Sequence, residues 1–197
     1  MRYVVFLSLF LSTGLASAGD VGQTSAQAQE KFAPGGFVRL HLSPGGYTIR
    51  AGDPNAIHVS YQAANADQTK QVKVKISTGA TSADVFIYDT PHNNFHATIE
   101  VPARTDLRVR LFAGEVVVEE LEGDKDIEVE AGRIEIRIPN PDVYGRRDAS
   151  VHAGSIEGSA FAVSKGGLFR SWEQKGPGKY RLHTHAATGE ISLNRAP

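Results

Sequence analysis

Hydrophobic and polar residues alternate strictly along residues 107–138, LRVRLFAGEVVVEELEGDKDIEVEAGRIEIRI. Two alternating runs are each interrupted once, at the dipeptides Ala113-Gly114 and Ala131-Gly132. Shorter alternating segments recur from residue 36 onward, separated by clusters of Gly, Pro and Asn. Period two over many short segments is typical of an all-β protein. We predict no helix longer than two or three turns after residue 35, since the most helix-like segment, residues 62–71, is too polar to dock on a core.

The interruptions belong to a repeat in which the apolar positions change parity at a glycine. Before Gly114 the apolar residues are odd-numbered, and after it they are even-numbered. A backbone corner at Gly-x produces this change and lets both arms of a copy face one core. Glycine suits such a corner because the first corner position usually needs φ > 0. Clear copies centre on Gly114, Gly132, Gly154 and Gly189, and weaker copies centre on Gly45 and Gly79.

Two β architectures fit the repeat. The glycine spacings of 34, 35, 18, 22 and 35 residues cluster near one and two units of about 20. This periodicity favours a β-solenoid or β-roll of stacked coils. The alternative is an antiparallel hairpin meander packed as a β-sandwich, because Gly-x is also a type II′ hairpin loop. Hairpins would place Arg110 opposite Glu119 and Glu128 opposite Arg137, whereas solenoid corners would separate these partners.

The N-terminus has the three parts of a secretory signal peptide. Arg2 supplies a positive charge, residues 3–15 are largely apolar, and Ala16-Ser17-Ala18 is a small-residue cleavage site. We predict cleavage after Ala18, a flexible polar leader over residues 19–35, and one all-β domain over residues 36–197. The product is then extracytoplasmic, either periplasmic or secreted, with no membrane span after cleavage.

Composition excludes several classes of partner and site. Removal of 18 residues from 197 leaves 179, with 20 Lys and Arg against 22 Asp and Glu. This balance lacks the basic excess that nucleic acid requires. The chain has no cysteine, which excludes disulfides and thiolate zinc sites.

Histidines and carboxylates are the candidate metal-binding and catalytic residues. His183 and His185 share one face of a predicted strand, but no acidic residue lies beside them in sequence, and His92 and His96 fall in a predicted loop. We interpret both pairs as surface residues and predict no metal, cofactor or catalytic residue. The carboxylates alternate with apolar residues or lie at a turn, which indicates a charged outer face: Glu119, Glu120, Glu122, Asp124, Asp126, Glu128 and Glu130.

The remaining candidates favour structural roles. The segment GPGKY, residues 176–180, lacks the spacing of a phosphate-binding loop and is interpreted as a turn. Ser155 and Ser164-Lys165 lack the partners of a nucleophile. Residues 165–180 interrupt the repeat and contain Leu168, Phe169, Trp172 and Tyr180. A carbohydrate-stacking platform is one interpretation of this cluster, but we predict that it closes the end of the stack, with Phe169 and Trp172 mostly buried as a cap.

The chain resembles the bacterial putative-adhesin domain family over most of residues 36–195. The resemblance is carried by LFAGEVVVEELEGDKDIEVEAGRIEI, DASVHAGSIEG and GGLFRSWEQKGPGKYRLHTHAATGEISL. It implies an exported β-solenoid-like domain of largely undefined activity, and no active-site residue carries over. We therefore expect a non-catalytic adhesin-like binding or scaffold domain with a protein or glycan partner in the cell envelope. The alternative is a polysaccharide-cleaving enzyme that uses the surface carboxylates. The oligomeric state is left open.

Overall fold

A computed structural model describes residues 24–196, so the predicted signal peptide lies outside the described part. This part is all-β, and its one α-helix has 6 residues, in agreement with the predicted absence of long helices. Within it, we find no helix with the length and apolar character that a membrane crossing requires. The elements are β1 (Thr24–Lys31), β2 (Phe37–Leu42), β3 (Gly45–Ala51), β4 (Ala56–Ala63), α1 (Ala66–Gln71), β5 (Lys73–Thr78), β6 (Ser82–Tyr88), β7 (His96–Val101), β8 (Asp106–Glu119), β9 (Lys125–Ile138), a 3₁₀ turn (Pro141–Val143), β10 (Tyr144–Gly158), β11 (Val163–Lys175) and β12 (Tyr180–Arg195).

The strands form one mixed, open sheet of 12 strands. Its centre is a parallel stack in the order β8, β9, β12, β10, and β11 is added antiparallel to β10. On the other side of β8, two short strands replace each long one. β2 pairs with the first half of β8 and continues to β6, whereas β3 pairs with the second half and continues to β7.

A row of in-register glycines bends the long strands. The row crosses six strands and consists of Gly45, Gly114, Gly132, Gly189, Gly154 and Gly167. At Gly132, φ is +142°, a conformation that residues with a Cβ rarely adopt. Buried positions change parity across the bend, from Val109 and Leu111 to Val116 and Val118. The repeat and its equivalent corners at Gly114, Gly132, Gly154 and Gly189 are therefore confirmed. We call the side of the bend that holds the segments before Gly114, Gly132, Gly154 and Gly189 the first arm, and the other side the second arm; β11 runs in the opposite direction, so its residues after Gly167 belong to the first arm.

The ion pairs predicted for hairpins do not form. Arg110 contacts Glu128 on the neighbouring strand, with Nη2 3.0 Å from Oε1. Arg137 contacts Glu119, with Nη1 2.5 Å from Oε1. In each of these ion pairs, the two residues are paired in register on the parallel strands β8 and β9. The chain thus passes through Gly114 as one bent strand, without a hairpin turn.

Gly79 does not belong to the row of corners. It lies between the antiparallel strands β5 and β6, where its N–H donates to the carbonyl of Ser82 at 2.7 Å. The weak copy predicted at Gly79 is therefore wrong. Alternation on both sides of a glycine does not distinguish a hairpin turn from a bend, because both preserve period two within each flanking strand.

Part of the segment predicted as a flexible leader is a strand. Residues 24–31 form β1, which pairs antiparallel with β4. Ala28 and Phe32 are buried, whereas Gln29 and Lys31 are exposed and Glu30 is half-buried. Small alanines at the inward positions gave a weak hydrophobic signal, although the period of two is present.

One charged residue is buried among the apolar positions. Lys125 is 2% exposed and lies level with Leu107 and Leu182 on the flanking strands. Its Nζ donates to the carbonyls of Leu121 at 2.6 Å and Gly123 at 3.1 Å, and to the Tyr144 hydroxyl at 2.6 Å. All three ammonium hydrogens therefore have acceptors, which offsets the cost of burying the charge.

Candidate functional site

The outward side chains of the first arm form ordered rows across the sheet, and we call this surface the outer face. The rows arise because alternation sends every second side chain outward and in-register pairing places these side chains level on successive strands. The first row is Asp84, Arg39, Arg108, Asp126, His183, Asp148 and Glu173, and the second is Phe86, His41, Arg110, Glu128, His185, Ser150 and Ser171.

Two arginines of β8 neutralise carboxylates of β9. Arg110 Nη2 lies 3.1 Å from both carboxylate oxygens of Asp126, and Arg108 Nε lies 3.0 Å from Oδ2 of the same residue. Burial acts to raise the pKa of Asp126, but the hydrogen bonds and charges of Arg110 and Arg108 outweigh it and hold this pKa below its usual value. Asp126 is therefore an ionised partner in a charge network.

The structure brings His183 and several carboxylates together, although none is adjacent to His183 in sequence. Asp148 accepts a hydrogen bond from His183 Nδ1, and Glu128 Oε1 lies 4.0 Å from Nε2. One ligand atom each of Asp126, Glu128 and His183 lies within 4.8 Å of the others. Sequence spacing missed this group because its members come from strands far apart in the chain. The available signal was that Asp126, His183 and Asp148 each lie six residues before a corner glycine, and that Glu128 lies four residues before one.

The second predicted histidine has different surroundings. His185 Nδ1 lies 2.8 Å from the Ser150 hydroxyl, and the His185 ring is 4.9 Å from that of His152. The predicted loop pair is not brought to this face. His92 is exposed in the connection between β6 and β7, whereas His96 begins β7, where its Nε2 lies 3.2 Å from Thr48 Oγ1.

A third row, at the bend, carries exposed aromatic side chains. Tyr88 is 41% exposed, Phe112 70% and Phe169 78%. Each lies two residues from a member of the second row on the same strand, namely Phe86, Arg110 and Ser171. The His152 ring belongs to this row and lies 5.9 Å from the Phe169 ring. We call Tyr88, Phe112, His152 and Phe169 the aromatic strip. Tyr88 and Phe112 lie on either side of Ser43. Since adjacent strands are about 4.8 Å apart, the backbones at Tyr88 and Phe112 are roughly 10 Å from each other.

A shallow, open depression adjoins the strip. Its volume is about 400 Å³, and its floor includes a stacked pair, His41 and Phe86, with ring centroids 4.6 Å apart. Residues lining it are His41, Leu42, Ser43, Phe86, Ile87, Tyr88 and Arg110. The aromatic strip therefore borders a concavity that combines ring faces with polar groups.

The predicted aromatic cap forms only in part. Residues 163–175 form β11, an added antiparallel strand whose Leu168 and Phe169 are 67% and 78% exposed. The prediction of a buried Phe169 is wrong. Trp172 is partly buried, with its ring 5.4 Å from that of Phe161, a buried residue of the connection between β10 and β11. Alternation along β11 explains the difference, because Trp172 points to the core side and Phe169 to the outer face.

We expect Trp172→Ala to lower the melting temperature and Phe169→Ala to leave it nearly unchanged. Truncating a fully buried aromatic side chain costs about 3–5 kcal/mol, and the partly buried Trp172 should lose a fraction of that. Differential scanning calorimetry of both variants and the fluorescence maximum of Trp172, the single tryptophan, provide the measurement. Equal melting temperatures for the two variants would contradict this assignment.

The other candidate motifs have structural partners. Residues 176–179 connect β11 to β12, as predicted for a turn. The Ser164 hydroxyl donates to Glu157 at 3.1 Å, and Lys165 Nζ donates to the carbonyl of Ser171 at 2.8 Å. Ser155 lies opposite Gly166 of β11 and level with Glu190 of β12.

Comparisons with known proteins give likenesses of structure. No family model and no curated protein matches the chain. A crystal structure of a putative cell adhesion protein from Clostridium sporogenes is 13% identical and has a TM-score of 0.54, covering 87% of this chain and 100% of that one. Crystal structures of putative adhesins from Bacteroides fragilis and Parabacteroides merdae are 8% and 9% identical, with TM-scores of 0.36 and 0.35. They cover 88% and 57% of this chain and 98% and 52% of their own. The described part of this chain thus has a fold similar to that of the Clostridium sporogenes protein.

Proposed function

We propose that this protein is a non-catalytic, extracytoplasmic adhesin-like binding domain of the bacterial cell envelope, and that it binds through the aromatic strip. Three sequence and structural features support the proposal: the predicted signal peptide, the fold shared with a putative cell adhesion protein, and the exposed rings on the outer face. The partner is a protein or a glycan of the envelope or cell surface.

The aromatic strip is the observation that carries the proposal. Phe112 is 70% exposed on a strand whose inward residues are almost completely buried. An exposed phenylalanine adds little to folding, whereas aromatic rings provide much of the binding energy at protein surfaces. The four large hydrophobic side chains exposed in the described part are Tyr88, Phe112, Leu168 and Phe169, and three of them belong to one row. The rings lie on β6, β8, β10 and β11, and a row spread over these strands suits an extended partner that lies along the bend.

The carboxylates support binding over polysaccharide cleavage. A glycosidase needs one carboxylic acid that stays protonated and a second carboxylate at a set separation in a cleft. Asp126 instead has a lowered pKa, and Arg110 bonds both Asp126 and Glu128. These two groups lie on a sheet surface and are paired with an arginine, which differs from an acid and a base held apart in a cleft.

We also propose that the stack of parallel strands is a β-solenoid-like roll, the architecture that the sequence repeat favours. The parallel, in-register pairing of β8, β9, β12 and β10 supports this description. A sandwich built from hairpins would pair consecutive strands antiparallel. A roll presents one continuous outer face, which is the surface the proposed function requires.

Binding to isolated bacterial envelopes tests the proposal. We expect the purified protein to sediment with envelopes, and Phe112→Ser to reduce the bound fraction at least about tenfold, the effect of losing a central aromatic contact. Leu168→Ser is the matched control, because Leu168 is 67% exposed but lies on the opposite side of β11 from the strip. Both variants should melt like the parent protein.

Treatment of the envelopes distinguishes the two partner classes. Loss of binding after periodate oxidation indicates a glycan, and loss after protease digestion indicates a protein. No sedimentation with untreated envelopes, or equal losses in Phe112→Ser and Leu168→Ser, would contradict binding through the strip. Release of reducing sugar from envelope polysaccharides above the blank would favour the enzyme.

A further inference from the structure

We propose that Asp126, Glu128 and His183 form a binding site for a divalent transition-metal ion, with Zn²⁺ as the best match. One imidazole and two carboxylates form a donor set that zinc binds in proteins, with water completing the coordination. This inference goes beyond the proposed function and does not depend on it, because the three residues lie in the first and second rows and not in the aromatic strip.

Two adjacent strands place the donors on one surface. Asp126 and Glu128 are two residues apart on β9 and therefore point to the same side of the sheet. His183 of β12 is paired in register with Asp126. One ligand atom of each residue lies within 4.8 Å of the other two, and all three side chains are partly buried. Small side-chain rotations would bring these atoms to the spacing of ligands around one ion.

Asp148 orients the imidazole for metal binding. Its carboxylate accepts a hydrogen bond from His183 Nδ1, which directs the Nε2 lone pair toward Glu128. A carboxylate behind a histidine is the usual support of a metal-bound imidazole, because it fixes the tautomer and raises the basicity of the ligand. The second oxygen of Asp148, Oδ1, is buried without a hydrogen-bond partner, and Arg146 Nε lies 3.9 Å from it. Asp148 is thus a positioning residue.

Two neighbouring arginine side chains determine how strongly the site binds a metal ion. Arg108 and Arg110 contact Asp126, and Arg110 also contacts Glu128. A carboxylate has about four lone-pair positions, so an oxygen can bind a metal while it accepts a bond from an arginine. The guanidinium charges repel a metal ion, so we expect moderate affinity.

Isothermal titration with zinc chloride tests the site in the purified protein. We expect one ion per chain, with binding lost or weakened at least about tenfold in His183→Gln and in Glu128→Gln. Asp148→Asn should weaken binding by about tenfold through the misplaced imidazole. Arg108→Gln should strengthen binding, because it removes a competing charge but no ligand.

His41→Gln is the matched control. His41 lies on the same face with Nε2 3.6 Å from a single carboxylate, that of Asp84, so it has the surroundings of His183 without the second and third donors. We expect this variant to bind zinc like the parent protein. Visible absorption of added Co²⁺, present in the parent protein and absent in His183→Gln, would confirm imidazole coordination.

Several results would overturn the proposal. These are no binding up to about 1 mM zinc at pH 8, equal weakening in His41→Gln and His183→Gln, and unchanged binding in both His183→Gln and Glu128→Gln. Circular dichroism and melting of each variant separate lost coordination from lost folding. If His183→Gln does not fold, Glu128→Gln and Arg108→Gln still decide the result, since they must shift the affinity in opposite directions.

Discussion

Gly132→Ala is expected to lower the free energy of unfolding by more than about 4 kcal/mol, a loss typical of a direct clash in a packed structure. Gly132 has φ of +142°, and a Cβ at this position would lie 1.8 Å from the carbonyl oxygen of Gly114. Strain in this backbone region alone costs about 1–3 kcal/mol. The clash adds to it, because the contacted atom belongs to the backbone of the neighbouring strand and cannot rotate away.

Gly167→Ala is the matched control for the backbone conformation. Gly167 has φ of +117° and belongs to the same glycine row, but it lies on β11 at the edge of the sheet. A Cβ there would be 3.3 Å from the guanidinium group of Arg170, a flexible side chain. This variant should therefore lose only the strain of about 1–3 kcal/mol.

Urea unfolding of both variants provides the comparison. The difference between Gly132→Ala and Gly167→Ala measures how closely the stacked backbones approach at the bend. Equal losses in the two variants would mean that the neighbouring strand gives way to a methyl group, and would contradict a tightly packed glycine row.

Protein stability is expected to rise between pH 8 and pH 9.5 because of Lys125. Burial lowers the pKa of Lys125 to about 8, despite opposing contributions from Asp106, Asp124 and Glu122. Above pH 8 the folded protein releases this proton while the unfolded chain, with an ordinary lysine pKa near 10.4, keeps it. The unfolded state then binds more protons, so the free energy of unfolding increases with pH. One pKa unit corresponds to about 1.4 kcal/mol, so the gain by pH 9.5 is about 2 kcal/mol.

Above pH 10 the trend should reverse. Burial raises the pKa of Tyr47 and of Tyr144, so their ionisation in the unfolded chain lowers stability in that range. Denaturant unfolding at intervals from pH 7 to pH 10.5 measures both effects. In Lys125→Met, which keeps the volume but removes the titrating group, the rise should disappear. A parent profile that is flat between pH 8 and pH 9.5 would contradict the lowered pKa.

The strands and their corners were predictable because they depend on local chain properties. Alternation fixed which side of a strand each residue faces, as for Val109 and Val116. The parity change at Gly114 identified the bend, since only a change of backbone direction keeps both arms turned to one core. Local pattern was insufficient in two places. The small inward residues of β1 give the same signal as a polar leader, and the hairpin turn at Gly79 gives the same signal as a corner.

The strand order could not be predicted in this way. The copies centred on Gly132, Gly154 and Gly189 have nearly the same pattern, yet β12 lies between β9 and β10 in the sheet. Any of these copies satisfies the backbone hydrogen bonds of its neighbours equally well. Their order depends on the connections, such as β11, which returns antiparallel along β10 before β12 enters the stack.

The sequence by itself determined an all-β chain with bent strands, glycines at the bends and a charged outer face. Tertiary structure alone decided which charged residues meet. The insertion of β12 beside β9 brings His183 to Asp126 and Glu128, and the pairing with β10 adds Asp148. It also encloses Lys125 with Tyr144, 19 residues away. Side-chain direction is a property of two or three neighbouring residues, whereas these contacts depend on pairing between distant strands, and distant pairing is set by the packing of the whole sheet.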